Sequence, residues 1–337
     1  MASDLSLFPI FERQGRSRTR FKVGYINREG RVILAPLFDD GTGFHEGLAA
    51  VKTGRYWGFI DDDGRTVLEP TLPNWCHFSE GLANLCTLKG NWGVIDKLGR
   101  FVVEPKYAYV GGFKNGLALF RVGKEDTSRF GFLDKIGTVA ISAGFRAAGS
   151  FSEGLAATMV SNLWGYIGPA GDFKITPRFE GTKITTKGSK DTKAGYFADG
   201  LAPVWSGRGY GFIDTSGRFV TRTDFDMAYS FHDGRALVQD RGRFGFVDSE
   251  GKVVVKPRFA HAQNFSGGLA AVAEVQNGPK GFIDKNGDVV IEPQFFNTMS
   301  FNGGLCLVES EKDIGYINSD GEFVWEGPYV EYRTIGL

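Results

Sequence analysis

Among 337 residues there are only three cysteines, four histidines and four methionines. Cys76, Cys86 and Cys306 are too few, and odd in number, for a disulfide framework. They suit a reducing compartment, where a buried thiol packs as a small apolar group. Neither sign of charge is in excess, with 39 basic and 39 acidic side chains. The basic surplus that phosphates or anionic lipid require is therefore missing. No apolar run approaches the roughly 18 residues of a membrane-spanning helix. The first residues lack the basic-then-apolar order of a secretory leader. These absences lead us to expect a soluble cytoplasmic protein with no specific nucleic-acid partner and no membrane span. Phosphate loops, dinucleotide fingerprints and nucleophile elbows are absent too, so the expectation is a non-enzyme without cofactor.

What the chain has instead is 48 glycines and 30 phenylalanines, placed at regular intervals. The string "WGFID" recurs around Gly24, Gly58, Gly93, Gly131, Gly165, Gly211, Gly245, Gly281 and Gly315. The spacings are 34, 35, 38, 34, 46, 34, 36 and 34 residues. A second string, Phe-x-x-Gly-Leu-Ala, falls between the anchors, as in "FHEGLAAV" and "FSEGLANL". The N-terminal "SLFPIF" aligns with "GLAPVW" and supplies the ninth copy. The chain thus reads as one array over 1–337, with copies near 6–38, 39–72, 73–107, 108–145, 146–179, 180–225, 226–259, 260–295 and 296–330.

Within a copy the distances are tighter than the period. Each anchor glycine is followed six residues later by a second glycine, Gly64 after Gly58 for example. Asp or Asn three residues before that second glycine is a type I turn signature, closed by glycine in the left-handed region. Asn27, Asp61, Asp96, Asp134, Asp214, Asp248, Asp284 and Asn318 hold the place, and only Gly168 departs. Proline follows the turn at Pro36, Pro70, Pro105, Pro177, Pro257 and Pro293, where it is expected to end the second strand. Gly-Leu-Ala-x-Val makes a third strand. The expected fold is all-β: nine tandem three-stranded hairpin units of about 35 residues, which must stack because none buries its own face. A propeller blade has four strands and propellers commonly four to eight blades. An open superhelical, solenoid-like stack therefore suits nine three-stranded units better than the alternative, a closed β-propeller.

The nine strings, read with Pro-x-aromatic and Phe-x-Glu-Gly-Leu-Ala, resemble the WG (KWG) repeats of bacterial proteins. The resemblance covers about residues 6–330, although the literal Trp-Gly pair survives only at Trp57, Trp92 and Trp164. It implies a β-rich binding or interaction module and carries no catalytic residues. A looser likeness to aromatic-glycine hairpins that bind cell-wall choline implies a carbohydrate or envelope ligand.

Candidate residues are those the repeat does not explain. Asp61-Asp62-Asp63-Gly64 suggests a calcium loop, but the alternation of such a loop fails and the turn accounts for Asp61 and Gly64. His45, His77, His232 and His261 lie beside or near core phenylalanines without zinc spacing, so no metal is expected. An insertion lengthens the copy near 180–225 by 12 residues, and the loop 181–193 carries Lys183, Lys187, Lys190 and Lys193. It is either a solvated loop or a basic contact to an acidic partner or phosphate. Arg13, Arg16, Arg18 and Arg20 form a second basic group in the first hairpin loop. Trp75, Trp205 and Trp325 stand off the repeated positions, as packing residues or as interface anchors. The functional expectation is a scaffold that binds another protein through Trp75, Trp205 and the four lysines, with a carbohydrate or envelope ligand as the alternative.

Overall fold

The computed structural model describes residues 7–15, 21–124, 127–180, 195–311 and 313–328. It contains nine small antiparallel sheets, each formed by consecutive strands. The first holds β1 (Phe8–Arg13), β2 (Phe21–Ile26) and β3 (Val32–Phe38); the second holds β4 (Asp40–Gly41), β5 (Leu48–Thr53), β6 (Tyr56–Asp61) and β7 (Thr66–Leu72). By packing, the chain divides into residues 1–113 with 295–337, and residues 114–294.

Three local devices convert the repeated residues into a sheet. Asp61 makes the Asp-x-x-Gly turn as expected. Its Oδ1 accepts the amides of Asp63 (3.1 Å) and Arg65 (2.7 Å), and Gly64 closes the turn with φ 79°. Asp61 and Gly64 are therefore turn geometry, and Arg65 pairs with the exposed Asp63. Glu46-Gly47 forms a two-residue hairpin turn with φ 52° and 77°, the mirror-image turn that matches strand twist. The third device is the anchor glycine. Opposite Gly58, the pairing of β6 with β7 slips between Trp57↔Leu72 and Phe59↔Leu68. This is a bulge, and Pro70 sits in it. Proline thus lies inside the strand and does not end it as the sequence suggested; a bulge is one of the few sheet positions that spares its missing N–H. The bulged backbone presses on the glycine. At the equivalent Gly165 a Cβ would lie 2.6 Å from the Ile175 carbonyl and 2.7 Å from the Pro177 nitrogen.

Among the described residues seven sheets have four strands and two have three, where three were expected throughout. The extra strand is the stretch between the Pro-x-aromatic pair and the Phe of Phe-x-x-Gly-Leu. In the second sheet this is β4, pairing Asp40↔Lys52 and Gly41↔Val51. In five of the seven sheets the extra strand is two residues long, too short to show an alternation, and it escaped the sequence reading.

The core is a series of small clusters between successive sheets. The ring after the anchor glycine meets the Phe of the next copy edge to face. The pairs are Tyr25–Phe44 (5.2 Å) and Phe59–Phe78 (4.9 Å) in the first unit. In the second unit they are Phe132–Phe151 (4.9 Å), Tyr166–Phe197 (4.8 Å), Phe212–Phe231 (5.3 Å) and Phe246–Phe265 (4.7 Å). A second link runs through the hairpin turns. Glu46 accepts the amide of Gly81 (2.9 Å), Glu153 that of Gly200 (3.0 Å), Asp199 that of Gly234 (3.0 Å) and Asp233 that of Gly268 (2.9 Å). The acidic residue of Phe-x-Glu-Gly-Leu thus ties its turn to the following one.

The expectation of an open stack is corrected inside the first unit, where the first and last sheets pack together. Tyr25 donates its hydroxyl to the Thr42 carbonyl of the following sheet (3.0 Å). Tyr316, at the same place in the last copy, donates to Pro9 of the first sheet (3.0 Å) and stacks on Phe8 at 5.5 Å. Phe8, Ile10, Ile26, Leu305, Leu307 and Tyr316 share one buried cluster. The turn glycine Gly30 lies directly on the Val324 carbonyl, as Gly99 lies on Leu68. The last copy treats the first as its successor, which is the contact of a propeller-like fold and not of an open stack.

Two consequences are measurable by urea unfolding. Gly165→Ala forces the bulge apart and should cost about 1–3 kcal/mol. Gly149→Ala, with nothing within 4 Å of its Cβ and an ordinary φ, should stay within about 0.5 kcal/mol of wild type. Tyr316→Phe should cost about 1 kcal/mol, because it removes the buried hydrogen bond to Pro9 and keeps the ring.

Candidate interaction surface

The two tryptophans expected to contact a partner, Trp75 and Trp205, lie in different units, and each occupies a place that its siblings fill differently. Trp75 precedes β8 (Phe78–Ser79), which begins the third sheet with β9 (Leu82–Cys86), β10 (Trp92–Asp96) and β11 (Phe101–Tyr107). Its cause is local. In the other sheets the residue five before the repeated Phe donates its amide across the ladder: Asp39 to Lys52, Asp226 to Gln239, Ala260 to Ala273, Phe296 to Glu309. In the third sheet that residue is Pro73, which has no N–H. The Asn74 side chain replaces the lost donor, its Nδ2 reaching the Cys86 carbonyl at 2.9 Å. Trp75 then falls where Gly41, Val110, Ala148, Ala228, Ala262 and Thr298 stand in siblings. Those side chains are small; the indole is not, and it stands 44% exposed.

A row of rings extends from it. Trp75 meets His77 edge-on at 4.7 Å, and His77 meets His45 at 4.4 Å. Burial and the neighbouring His45 push the His77 imidazole down to about 4 from its ordinary 6.5, so it is neutral at pH 7. Cys76, between the two rings in sequence, faces the core, and burial raises its thiol to about 12. A weakly acidic buried thiol is a packing group and a poor nucleophile.

Trp205 packs edge-to-face on Tyr210 across its hairpin (5.3 Å) and, with Phe179, Phe219, Arg178 and Glu180, lines a shallow pocket of about 260 Å³. Arg178 lies over the Phe179 ring (5.2 Å) and donates to the Gly217 carbonyl. Arg258 repeats this with Phe259 (4.8 Å) and Gly287 (3.1 Å), so this arginine is a scaffold clip between copies. Trp325 packs near Tyr316 (6.1 Å) within the first unit's core and is a packing residue. In the second unit the Tyr196 hydroxyl meets His232 Nε2 at 2.7 Å. Lys183, Lys187, Lys190 and Lys193, together with Arg16, Arg18 and Arg20, lie outside the described residues.

Several exposed side chains escaped the sequence reading. Tyr56 (49% exposed), Leu88 (83%) and Tyr109 lie at the same end of sheets two to four as Trp75. Each falls in a loop or at a strand end where siblings carry unrelated residues, so no repeated position marked it.

The fold and its regular turns define a repeat protein of propeller-like, all-β type. A family model for the WG containing repeat matches residues 24–56, 57–85, 92–125, 130–164, 210–243, 244–274 and 281–312, and the chain belongs to that family. The unmatched stretch between 164 and 210 holds both Gly168 and the insertion. No curated protein matches the chain in sequence. Among solved structures, one titled as a crystal structure of the eukaryotic initiation factor is similar at a TM-score of 0.62, with 14% identity and 97% of each chain covered. At that identity the likeness shows the fold alone. BamB from Moraxella catarrhalis covers 95% of each chain at 12% identity, with a TM-score of only 0.38.

The His77 environment sets a pH dependence. The unfolded chain takes up a proton near pH 6.5, the folded chain only near 4, so the stability His77 supplies is full above 6.5 and is lost as pH falls toward 4. Urea midpoints at pH 7 and pH 4.5 should therefore fall further for wild type than for His77→Gln.

Proposed function

We propose that this chain is a non-catalytic scaffold, acting in the cytoplasm, that holds a protein partner through an exposed aromatic surface. The observation that carries the reading is Trp75. The repeated positions serve the turns, bulges and ring pairs of the scaffold, whereas this indole is exposed because Pro73 and Asn74 rebuilt the strand beside it. Exposed tryptophan and tyrosine are the side chains that dominate protein interfaces. Lys183, Lys187, Lys190 and Lys193 are proposed as a separate basic contact, and Trp205 as an additional anchor. The free state of Cys76, Cys86 and Cys306 supports a reducing compartment.

A second reading, a carbohydrate or envelope ligand, draws support from the Trp205 pocket. Aromatic walls from Phe179, Trp205 and Phe219 beside the Glu180 carboxylate suit a sugar ring. The test is capture of a stoichiometric protein by the tagged full chain from a lysate of its native source. Trp75→Ala should lose most of that protein, and deletion of 181–193 should weaken it. Undiminished capture by both variants would sink the protein-scaffold reading at these residues. Glycan-array binding lost on Trp205→Ala would move the assignment to the second reading.

A further inference from the structure

The end of sheets two to four that carries Trp75 has a second property, its charge. The strand pairings define this end. Asp40↔Lys52, Thr53↔Tyr56 and Trp57↔Leu72 bring it together in the second sheet, and Trp92↔Cys86 and Trp92↔Tyr107 do so in the third. In the fourth sheet it is the start of β12 (Tyr109–Lys114). The ring of Tyr109 lies 5.3 Å from that of Trp92. Leu88 tops the tight turn that follows β9, closed by the Gly90 amide on the Thr87 carbonyl (2.9 Å). Tyr56, Trp75, Leu88, Trp92 and Tyr109 thus bring apolar surface to one end of three successive sheets.

Cations surround them. Arg55, Lys89 and Lys106 are all exposed. Among the described residues none of the three has a carboxylate partner, and Lys106 lies over the Tyr107 ring (5.3 Å). Lys52 lies over the Trp57 ring at 5.8 Å. Two carboxylates at this end, Asp39 and Asp40, are already committed, and the exposed Glu69 and Glu104 lie further along their strands. Asp39 is bound by Lys22 and by the Gly54 amide, both at 2.7 Å, and half-buried Asp40 accepts the Gly41 amide at 2.9 Å. In a chain whose charges balance overall, this end keeps uncompensated positive charge around apolar anchors.

We infer that this end of sheets two to four is a docking surface for an acidic peptide segment bearing aromatic or leucine anchors. The inference rests on the protein-scaffold reading and adds the partner's chemistry. Apolar anchors settle among Tyr56, Trp75, Leu88 and Tyr109, and carboxylates of the same segment face Arg55, Lys89 and Lys106. Desolvated rings supply affinity, and the rim cations supply steering and selection.

The test selects a display library of random linear peptides on the immobilised full chain and titrates the recovered peptides in solution. Recovered peptides should be net acidic and contain aromatic or leucine residues. Trp75→Ala should weaken them by about thirtyfold. The triple variant Arg55→Glu, Lys89→Glu, Lys106→Glu should weaken them at least about tenfold and flatten their salt dependence, with an unchanged melting temperature. Neutral or basic peptides, no enriched peptide, or acidic peptides indifferent to the triple variant would each overturn the inference. Sulfated dextran competing with the same sensitivity to both substitutions would also overturn it, as a general polyanion surface. Peptides lost on Trp75→Ala but kept by the triple variant would leave the scaffold reading standing and remove only the acidic partner.

Discussion

One contact sets the spacing of the described sheets: the ring that follows the anchor glycine, set edge to face against the next copy's phenylalanine. Its centroid distance stays between 4.7 and 5.3 Å across six junctions, although loops between them vary by a dozen residues. Such pairs are worth about 0.5–1.5 kcal/mol beyond their buried area. No sheet has a core of its own. Each ring needs its neighbour's ring, so stability is distributed along the junctions instead of concentrated in one centre. The anchor glycine serves the same contact from the other side, since only a residue without Cβ lets the bulged strand lie close enough to hold the ring in place.

Much of this was legible in the sequence because identical physics repeated nine times. The Asp-x-x-Gly turn, the all-β repeat and the phenylalanine of the core could be read from residue type and offset alone; the fourth strand could not. Nor could two other features. Pro70 reads as a strand stop by its missing N–H, yet a bulge leaves that N–H without a required partner and the strand continues through it. Closure was invisible for a different reason. It depends on how far each junction rotates one sheet from the next, and that rotation has no residue signature; base rates for blade number then pointed the wrong way. The contact itself was in view, since Tyr316 repeats the tyrosine of the first copy and its role at Tyr25 transfers to Pro9.

The candidate surface was legible only in part. Trp75 stood out as an aromatic off the repeated positions. Its neighbours did not, because Tyr56, Leu88 and Tyr109 fall in loops or at strand ends where sibling copies already differ. The copies act as internal controls for one another. Arg178 looks like a ligand-binding group beside Trp205 until Arg258 is found doing the same structural task. Trp75 has no such counterpart, and the substitution of Asn74 for a backbone donor shows that the strand was rebuilt around it.

The meeting of the first and last sheets has a consequence for biosynthesis. Phe8 and Ile10 leave the ribosome well before the residues that bury them, Leu305, Leu307 and Tyr316. The hydrogen bond from Tyr316 to Pro9 spans 307 residues, a separation far larger than any between neighbouring copies. Interior copies can settle against each neighbour as it emerges, in the order of synthesis. The first sheet cannot; one of its flanks stays apolar and unmatched until residues 305–316 have been made. Closing that junction is thus an event of high contact order, set among neighbouring-copy contacts that are local.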